Sequence, residues 1–305
     1  MLHLDVNKER DMYEKLVAGC DPRVQLFAQV TGSGSHNRFH CIVFELCHCT
    51  LFDVLTGFSG LLPLPAWHIL EIGYQMVSGT EYLHSQGIIH TDIKPDNIAL
   101  KFGDTVSVRW LDTLTGYHDK RILVSTQICI IDLGNAIEVE PSVGNYGRVG
   151  ARAYRAPEVV LGLPWSYGVD AFNIGCVMAE LYLQENLLKL DIEGDIEYLA
   201  AIDALVGPFP EDYALMVNAR FPNIFTLTGR VTVKFPADGT DPHDPEACEA
   251  LRRLASIRPV SARVHNATLC DLIRRLMFPD SAERIDLEGA AKHKYFDALR
   301  LLQLQ

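Results

Sequence analysis

Residues 90–97 read His-Thr-Asp-Ile-Lys-Pro-Asp-Asn, directly after the apolar pair Ile88-Ile89, and a second apolar run, Ile128-Cys129-Ile130-Ile131, ends in Asp132-Leu133-Gly134. Short apolar stretches of this kind read as buried strands, so the polar residues that follow them are delivered to strand ends. Asp92, Asn97 and Asp132 thus bring three oxygen-bearing side chains to such positions, with Lys94 set among them. Two carboxylates and a carboxamide suit a hard divalent cation such as Mg²⁺. A lysine beside them suits a phosphate. Each piece has a plainer reading, a polar turn at 92–97 and an Asx turn at Asp132-Leu133-Gly134.

The order of further motifs separates these readings. Ala151-Arg152-Ala153-Tyr154-Arg155-Ala156-Pro157-Glu158 follows, and then Asp170 at the start of an apolar helix. Glu158 needs a partner if it is buried, since an unpaired interior charge is expensive, and Arg284 is the candidate. Asp170 is placed to accept hydrogen bonds from backbone amides of the 90–97 loop.

Elsewhere the chain alternates legible elements and connectors. Residues 5–17 form a helix by periodicity, with Val6, Glu9, Tyr13 and Leu16 on one stripe. Glu9 there either meets a cation or turns to solvent. Strands are predicted over Val24–Val30 and Phe39–Leu46, separated by the turn-rich Thr31-Gly32-Ser33-Gly34-Ser35. A helix runs from Pro65 to Ser85 with Ile69, Ile72, Met76 and Leu83 on its inner face and Gly87 as its stop. Residues 101–126 read as an insertion between two strands. Helices are expected over Val169–Leu183, Asp271–Met277 and Leu287–Leu302. A small β-rich front followed by a large helical body makes the fold class α+β.

With 305 residues, 48% of them hydrophobic, the chain buries a large core, and a net charge of −12 disfavours direct binding to nucleic acid or anionic membrane. No apolar run reaches the ~18 residues of a membrane span. The eight cysteines show no regular spacing and read as reduced thiols of an intracellular protein, in nucleus or cytoplasm. Cys47-His48-Cys49 lacks a second pair at finger spacing, so packing accounts for it better than zinc.

These motifs resemble the eukaryotic protein kinases over nearly the whole chain. His90-Thr91-Asp92-Ile93-Lys94-Pro95 with Asp132-Leu133-Gly134-Asn135-Ala136 looks like the SR-protein kinases. Tyr154-Arg155-Ala156-Pro157-Glu158-Val159-Val160-Leu161-Gly162 with Trp165-Ser166 is similar to the neighbouring LAMMER (Cdc-like) kinases. Glu197-Tyr198-Leu199-Ala200 occupies the place of the LAMMER signature helix in different wording, so both groups stay open.

The resemblance implies a bilobal kinase-like fold with a truncated β-rich N-lobe, residues 1–47, and a mainly helical C-lobe, residues 48–305. It implies a serine/threonine kinase that uses ATP and Mg²⁺ on a basic, Ser-rich protein substrate. Asp92 would be the catalytic base and Lys94 the phosphate-contacting cation. Asn97 and Asp132 would hold the metal, and backbone groups of Glu45 and Cys47 would meet adenine beneath Phe44. Glu9 would be the helix carboxylate that pairs with a nucleotide-binding lysine.

The departures carry expectations too. No G-x-G-x-x-G precedes Glu45 and no Val-Ala-x-Lys strand precedes the first helix. Residues 1–305 are therefore expected to bind nucleotide weakly. Either upstream coding sequence supplies the lid or the chain is a partial kinase, and the sequence leaves both open. A rival reading is a kinase-like binding or scaffold module; a small-molecule phosphotransferase is disfavoured by Lys94 and the Tyr154–Glu158 segment. Thr91 replaces the arginine that would bind a phosphorylated loop, so phosphorylation of 132–158 is not expected to act as a switch. Ala151 replaces a threonine that would hold the catalytic Asp, which predicts a looser Asp92.

Overall fold

The computed structural model describes residues 6–18, 20–37, 39–112, 116–139, 144–188, 192, 194–236, 240–241 and 243–303. Its first helix, α1 (Val6–Val17), buries Met12, Tyr13 and Leu16 and leaves Glu9 half-buried. The side chain of Val6, like Asp5, lies outside the described residues.

The strand expected over Val24–Val30 is absent. Asp21 accepts the Arg23 amide at 2.8 Å and caps a 3-10 turn, Pro22–Leu26. Pro22 has no N–H for a ladder, and the Asp-Pro pair favours a capped turn over extension. Strand β1 runs instead over Val30–His36, through the glycines and serines expected to turn, and pairs antiparallel with β2 (Phe39–Phe44). The reversal falls at Asn37, with φ of 47°. Asparagine tolerates that left-handed conformation better than most residues.

Next come β3 (Cys49–Thr50), α2 (Leu51–Leu55) and α3 (Ala66–Ser85). Helix α3 buries Ile69, Ile72, Met76 and Leu83 as its periodicity requires, and Gly87 at φ 72° ends it. Then β4 (Ile88–Ile89) leads into the 90–97 loop, followed by β5 (Ile98–Leu100). Within the 101–126 stretch, β6 (Thr105–Asp112) pairs antiparallel with β7 (Gly116–Leu123), before β8 (Ile128–Ile130) and β9 (Ile137–Glu138). Strands β3, β5 and β8 make one antiparallel sheet, in which Ile98 faces Ile130. Strand β4 pairs with β9.

The remainder is helical: α4 (Pro157–Val160), α5 (Gly168–Leu183), α6 (Asp195–Val206) and α7 (Glu211–Arg220), a small hairpin β10 (Phe225–Thr226) and β11 (Thr232–Val233), then α8 (Pro245–Ser256), α9 (Val260–Arg263) and α10 (Ala267–Leu276). Helix α5 is mainly apolar and buried nearly all round, and it packs between α3 and α10, as a central core helix should. The helix expected over Leu287–Leu302 is broken into α11 (Leu287–Ala291), a 3-10 turn at Lys294–Phe296 and α12 (Asp297–Gln303). The break lies where the His293 side chain accepts the Tyr295 amide and restarts the chain. No helix of the described residues is long and apolar enough to cross a membrane.

Candidate active site

The three-stranded sheet brings the sequence motifs together. Because β5 and β8 run antiparallel, the residue before β5 and the residues after β8 lie at one end of the sheet. Ile131 donates its amide to the Asn97 carbonyl at 3.0 Å, so Asp132 sits one residue from that junction. Thr91 Oγ1 donates to the Asn135 carbonyl at 3.1 Å, a second tie between the two loops.

Within the 90–97 loop the polar side chains hold one another. Asp92 is 8% exposed; its Oδ1 accepts the Ala151 amide at 2.8 Å and its Oδ2 lies 3.0 Å from Lys94 Nζ. Asn97 Nδ2 donates to the Asp92 carbonyl at 2.8 Å and to Asp92 Oδ2 at 3.3 Å. These bonds engage the nitrogen of the Asn97 amide and leave its oxygen for a ligand. Asp132 Oδ1 accepts the Gly134 amide at 3.3 Å. The His90 ring takes the Asp92 amide on Nδ1 at 3.3 Å, which makes Nε2 the donor to the Ile131 carbonyl at 3.1 Å.

Two supports lie beneath the loop. Asp170 is fully buried and accepts the amides of His90 and Thr91, both at 2.8 Å, and the His84 ring at 2.9 Å. The role read for Asp170 in the sequence is therefore the one the fold uses. Thr91 has φ of 71°, a strained conformation for a β-branched residue, and the Asp170 bond holds it there. Farther out, Glu158 and Arg284 form the expected pair, bidentate at 2.7 and 2.9 Å with side chains 2% and 0% exposed.

The expectation that Ala151 loosens Asp92 is corrected. The backbone amide of Ala151 replaces a hydroxyl as donor, and it reaches Asp92 because of Gly150. At φ 72°, Gly150 lies so near Thr91 that an added Cβ would meet the Thr91 carbonyl oxygen at 2.8 Å. Sequence reasoning missed this donor, though a glycine before the Ala-Arg-Ala-Tyr run was a visible signal of close backbone approach.

At the opposite end of the sheet lies the connection 45–48. Glu45 donates its amide to the Gln29 carbonyl at 2.9 Å, and His48 donates to the Leu100 carbonyl at 2.8 Å. Between them, the Glu45 carbonyl and the Cys47 amide have no backbone partner among the described residues. The Glu45 side chain accepts Lys101 Nζ at 3.1 Å and Cys129 Sγ at 3.4 Å. Burial alone would raise the Glu45 carboxyl, but these donors outweigh it and leave it below its usual range.

Glu9 is not turned to solvent. Burial, then the charge of Asp132, raise its carboxyl above the usual range, partly offset by the Leu133 amide. No lysine, arginine or histidine among the described residues pairs with it.

The protein kinase domain family matches residues 7–296. The chain belongs to that family. Dual specificity protein kinase lkh1 of Schizosaccharomyces pombe is 32% identical over 264 residues, covering 86% of this chain and 36% of that protein. Dual specificity protein kinase CLK1 of Homo sapiens is 30% identical over 267 residues, 87% of this chain and 51% of that one. Serine/threonine-protein kinase AFC2 of Arabidopsis thaliana is 32% identical over 259 residues, 84% of this chain and 59% of that one. The chain thus spans between about one third and three fifths of the length of these curated relatives. They fall on the LAMMER (Cdc-like) side of the two groups the sequence resembles. The crystal structure of a kinase domain matches with a TM-score of 0.80 at 22% identity, over 95% of this chain and 83% of that one, and shows the fold to be the bilobal kinase fold with a helical C-lobe.

Proposed function

We infer that this kinase-family chain transfers the γ-phosphate of ATP to serine or threonine of a protein substrate inside the cell. The observation that carries this reading is Asp92, whose carboxylate is clamped by the Ala151 amide, Asn97 and Lys94. One carboxylate so held can take the proton of an incoming hydroxyl while Lys94 neutralises charge on the moving phosphoryl group. Phosphoryl transfer asks mainly for this positioning and for charge neutralisation.

The donor set fits Mg²⁺: the free Asn97 oxygen and the Asp132 carboxylate are hard oxygen ligands at one end of the sheet. A metal held there would neutralise phosphate charge as it shifts. Adenine would meet the Glu45 carbonyl and the Cys47 amide at the other end. The three residues Ile98–Leu100 separate the two ends by roughly 10 Å at 3.3 Å per residue, a span suited to an extended nucleotide. Residues 1–47 then act as a partial N-lobe and 48–305 as the C-lobe with the 101–126 insertion.

Named relatives carry serine/threonine or dual specificity, and the −12 net charge favours a basic, Ser-rich partner. The test is Asp92→Asn assayed on an Arg/Ser-rich peptide. Loss of a positioned general base costs on the order of 10²–10⁴ in rate. Phosphorylation that survives the change would show that Asp92 is not the base.

A further inference from the structure

The connection 45–48 has little of its own to hold it in shape. Leu46, at its centre, is 97% exposed, so no packed side chain fixes the two peptide groups around it. Those groups, the Glu45 carbonyl and the Cys47 amide, can read one ligand only if both face it at a set spacing. What fixes them lies at the ends of the connection. The Glu45 amide is tied to Gln29 ahead of β1 at 2.9 Å, and the His48 amide to Leu100 at the end of β5 at 2.8 Å. The His48 ring lies over Gly103, so close that a Cβ there would fall 2.3 Å from it.

A further tie comes from the Glu45 side chain, which reaches the three-stranded sheet. Its Oε1 takes both the Lys101 ammonium, at 3.1 Å, and the Cys129 thiol, at 3.4 Å. Cys129 is fully buried in β8, and the Lys101 side chain is 16% exposed. Lys101 extends the β5–β8 ladder by one rung, its amide donating to the Gln127 carbonyl at 2.9 Å. The anchor is therefore part of the sheet. A partly buried charge pair is also screened much less than a surface one. Residues 97–101 thus set both ends of the nucleotide site, Asn97 toward the metal and Lys101 toward the base.

We propose that Lys101 is a positioning residue for the base: it grips the Glu45 carboxylate and so presents the Glu45 carbonyl and the Cys47 amide, already ordered, to the donor–acceptor edge of adenine. This rests on the adenine assignment made above for those two groups and adds how they are held. Lys101 touches no part of the ligand. It acts by pre-organisation, since a segment ordered beforehand need not be ordered at the ligand's cost. A connection left free is competent only part of the time, and affinity falls by that fraction.

The experiment titrates AMP, without magnesium, into the nucleotide-free 305-residue chain and follows the backbone amide resonances of residues 45–48. In wild type the Cys47 amide is expected to shift as AMP binds. Lys101→Met should weaken AMP binding about three- to tenfold, the order that immobilising one side chain costs. In the free protein the same change should speed hydrogen exchange at Glu45 and His48 and leave α5 as it was, which a general loss of stability would not do. Lys101→Arg, which keeps a cation within reach of the carboxylate, should bind AMP close to wild type. Glu45→Ala should match Lys101→Met, and the double variant should be no weaker than either, since each removes the same interaction. Unchanged affinity in Lys101→Met, an equal loss in Lys101→Arg, exchange that rises throughout the protein, or losses that add in the double variant would each overturn the proposal. Absence of any AMP shift at Cys47 in wild type would overturn it together with the adenine assignment. Because the readout involves neither metal nor transfer, failure of the phosphoryl-transfer reading is seen separately, in Asp92→Asn assayed on the peptide.

Discussion

Asp170→Asn isolates what holds the catalytic loop. The carboxylate accepts three donors, the His90 and Thr91 amides at 2.8 Å and the His84 ring at 2.9 Å, at a fully buried position. An asparagine keeps the shape but replaces one acceptor with an NH₂ group, so either rotamer sets a donor against a buried amide. One charge-assisted bond is lost, about 1.5–3 kcal/mol, and the orphaned amide adds a desolvation cost of about 1–3 kcal/mol. With partial relaxation, a loss near ~3 kcal/mol follows, about a hundredfold in the folding constant. At about 2.1 cal/mol/K per residue over 305 residues, the unfolding entropy is roughly 0.6 kcal/mol/K, so the midpoint should fall by about 5 °C. Urea and thermal unfolding followed by circular dichroism measure this. The strained Thr91 should also relax, shifting Asp92 and slowing phosphorylation well below the new midpoint. A stability loss under ~1 kcal/mol would refute the hydrogen-bond accounting. Full stability loss with unchanged turnover on the folded protein would refute the link from Asp170 to Asp92.

Three further outcomes are expected. Arg284→Met leaves Glu158 buried and alone and should cost about 3–5 kcal/mol; adding Glu158→Gln should recover part of it, and strict additivity in urea titrations would contradict the pairing. Glu180 accepts the Tyr154 hydroxyl at 2.8 Å and the Leu187 amide at 2.9 Å, and burial lifts its carboxyl to about 7. A carboxyl raised in the folded state stabilises fully below about 4.5, and that stability fades as pH climbs through 7. Glu180→Gln, which mimics the protonated form, should therefore gain stability relative to wild type between pH 5 and pH 8; a constant difference would contradict the assignment. Calorimetry on the 305-residue chain should find Mg-ATP affinity weaker than about micromolar, since Glu9 has no cationic partner among the described residues. Micromolar binding would show that the remaining contacts suffice.

The parts of the molecule legible in the sequence are those where chemistry and position coincide. Asp92, Asn97 and Asp132 stand near the ends of short apolar runs, and the order of the motifs, through the resemblance it carries to protein kinases, led to expecting them in one site. Glu158 and Arg284 were readable because a buried charge demands a partner. Residues 22–36 were misread for the opposite reason. Val24 and Phe27 carry strand propensity, but Asp21 and Pro22 set a capped turn, while the Gly-Ser run 31–35 lies in a two-stranded ribbon that tolerates it. Ala151 shows a further limit. Its contribution is a main-chain N–H, the same for any residue but proline, so side-chain identity carries no trace of it.

The β6–β7 hairpin enters and leaves between two strands that are already zipped together at Ile98 and Ile130. Its length is thereby uncoupled from the geometry at Asn97 and Asp132, because closing a longer excursion costs only about 0.6 kcal/mol per doubling. That makes it a port for evolutionary or engineered cargo: an appendage spliced there would ride on the catalytic body without retuning it.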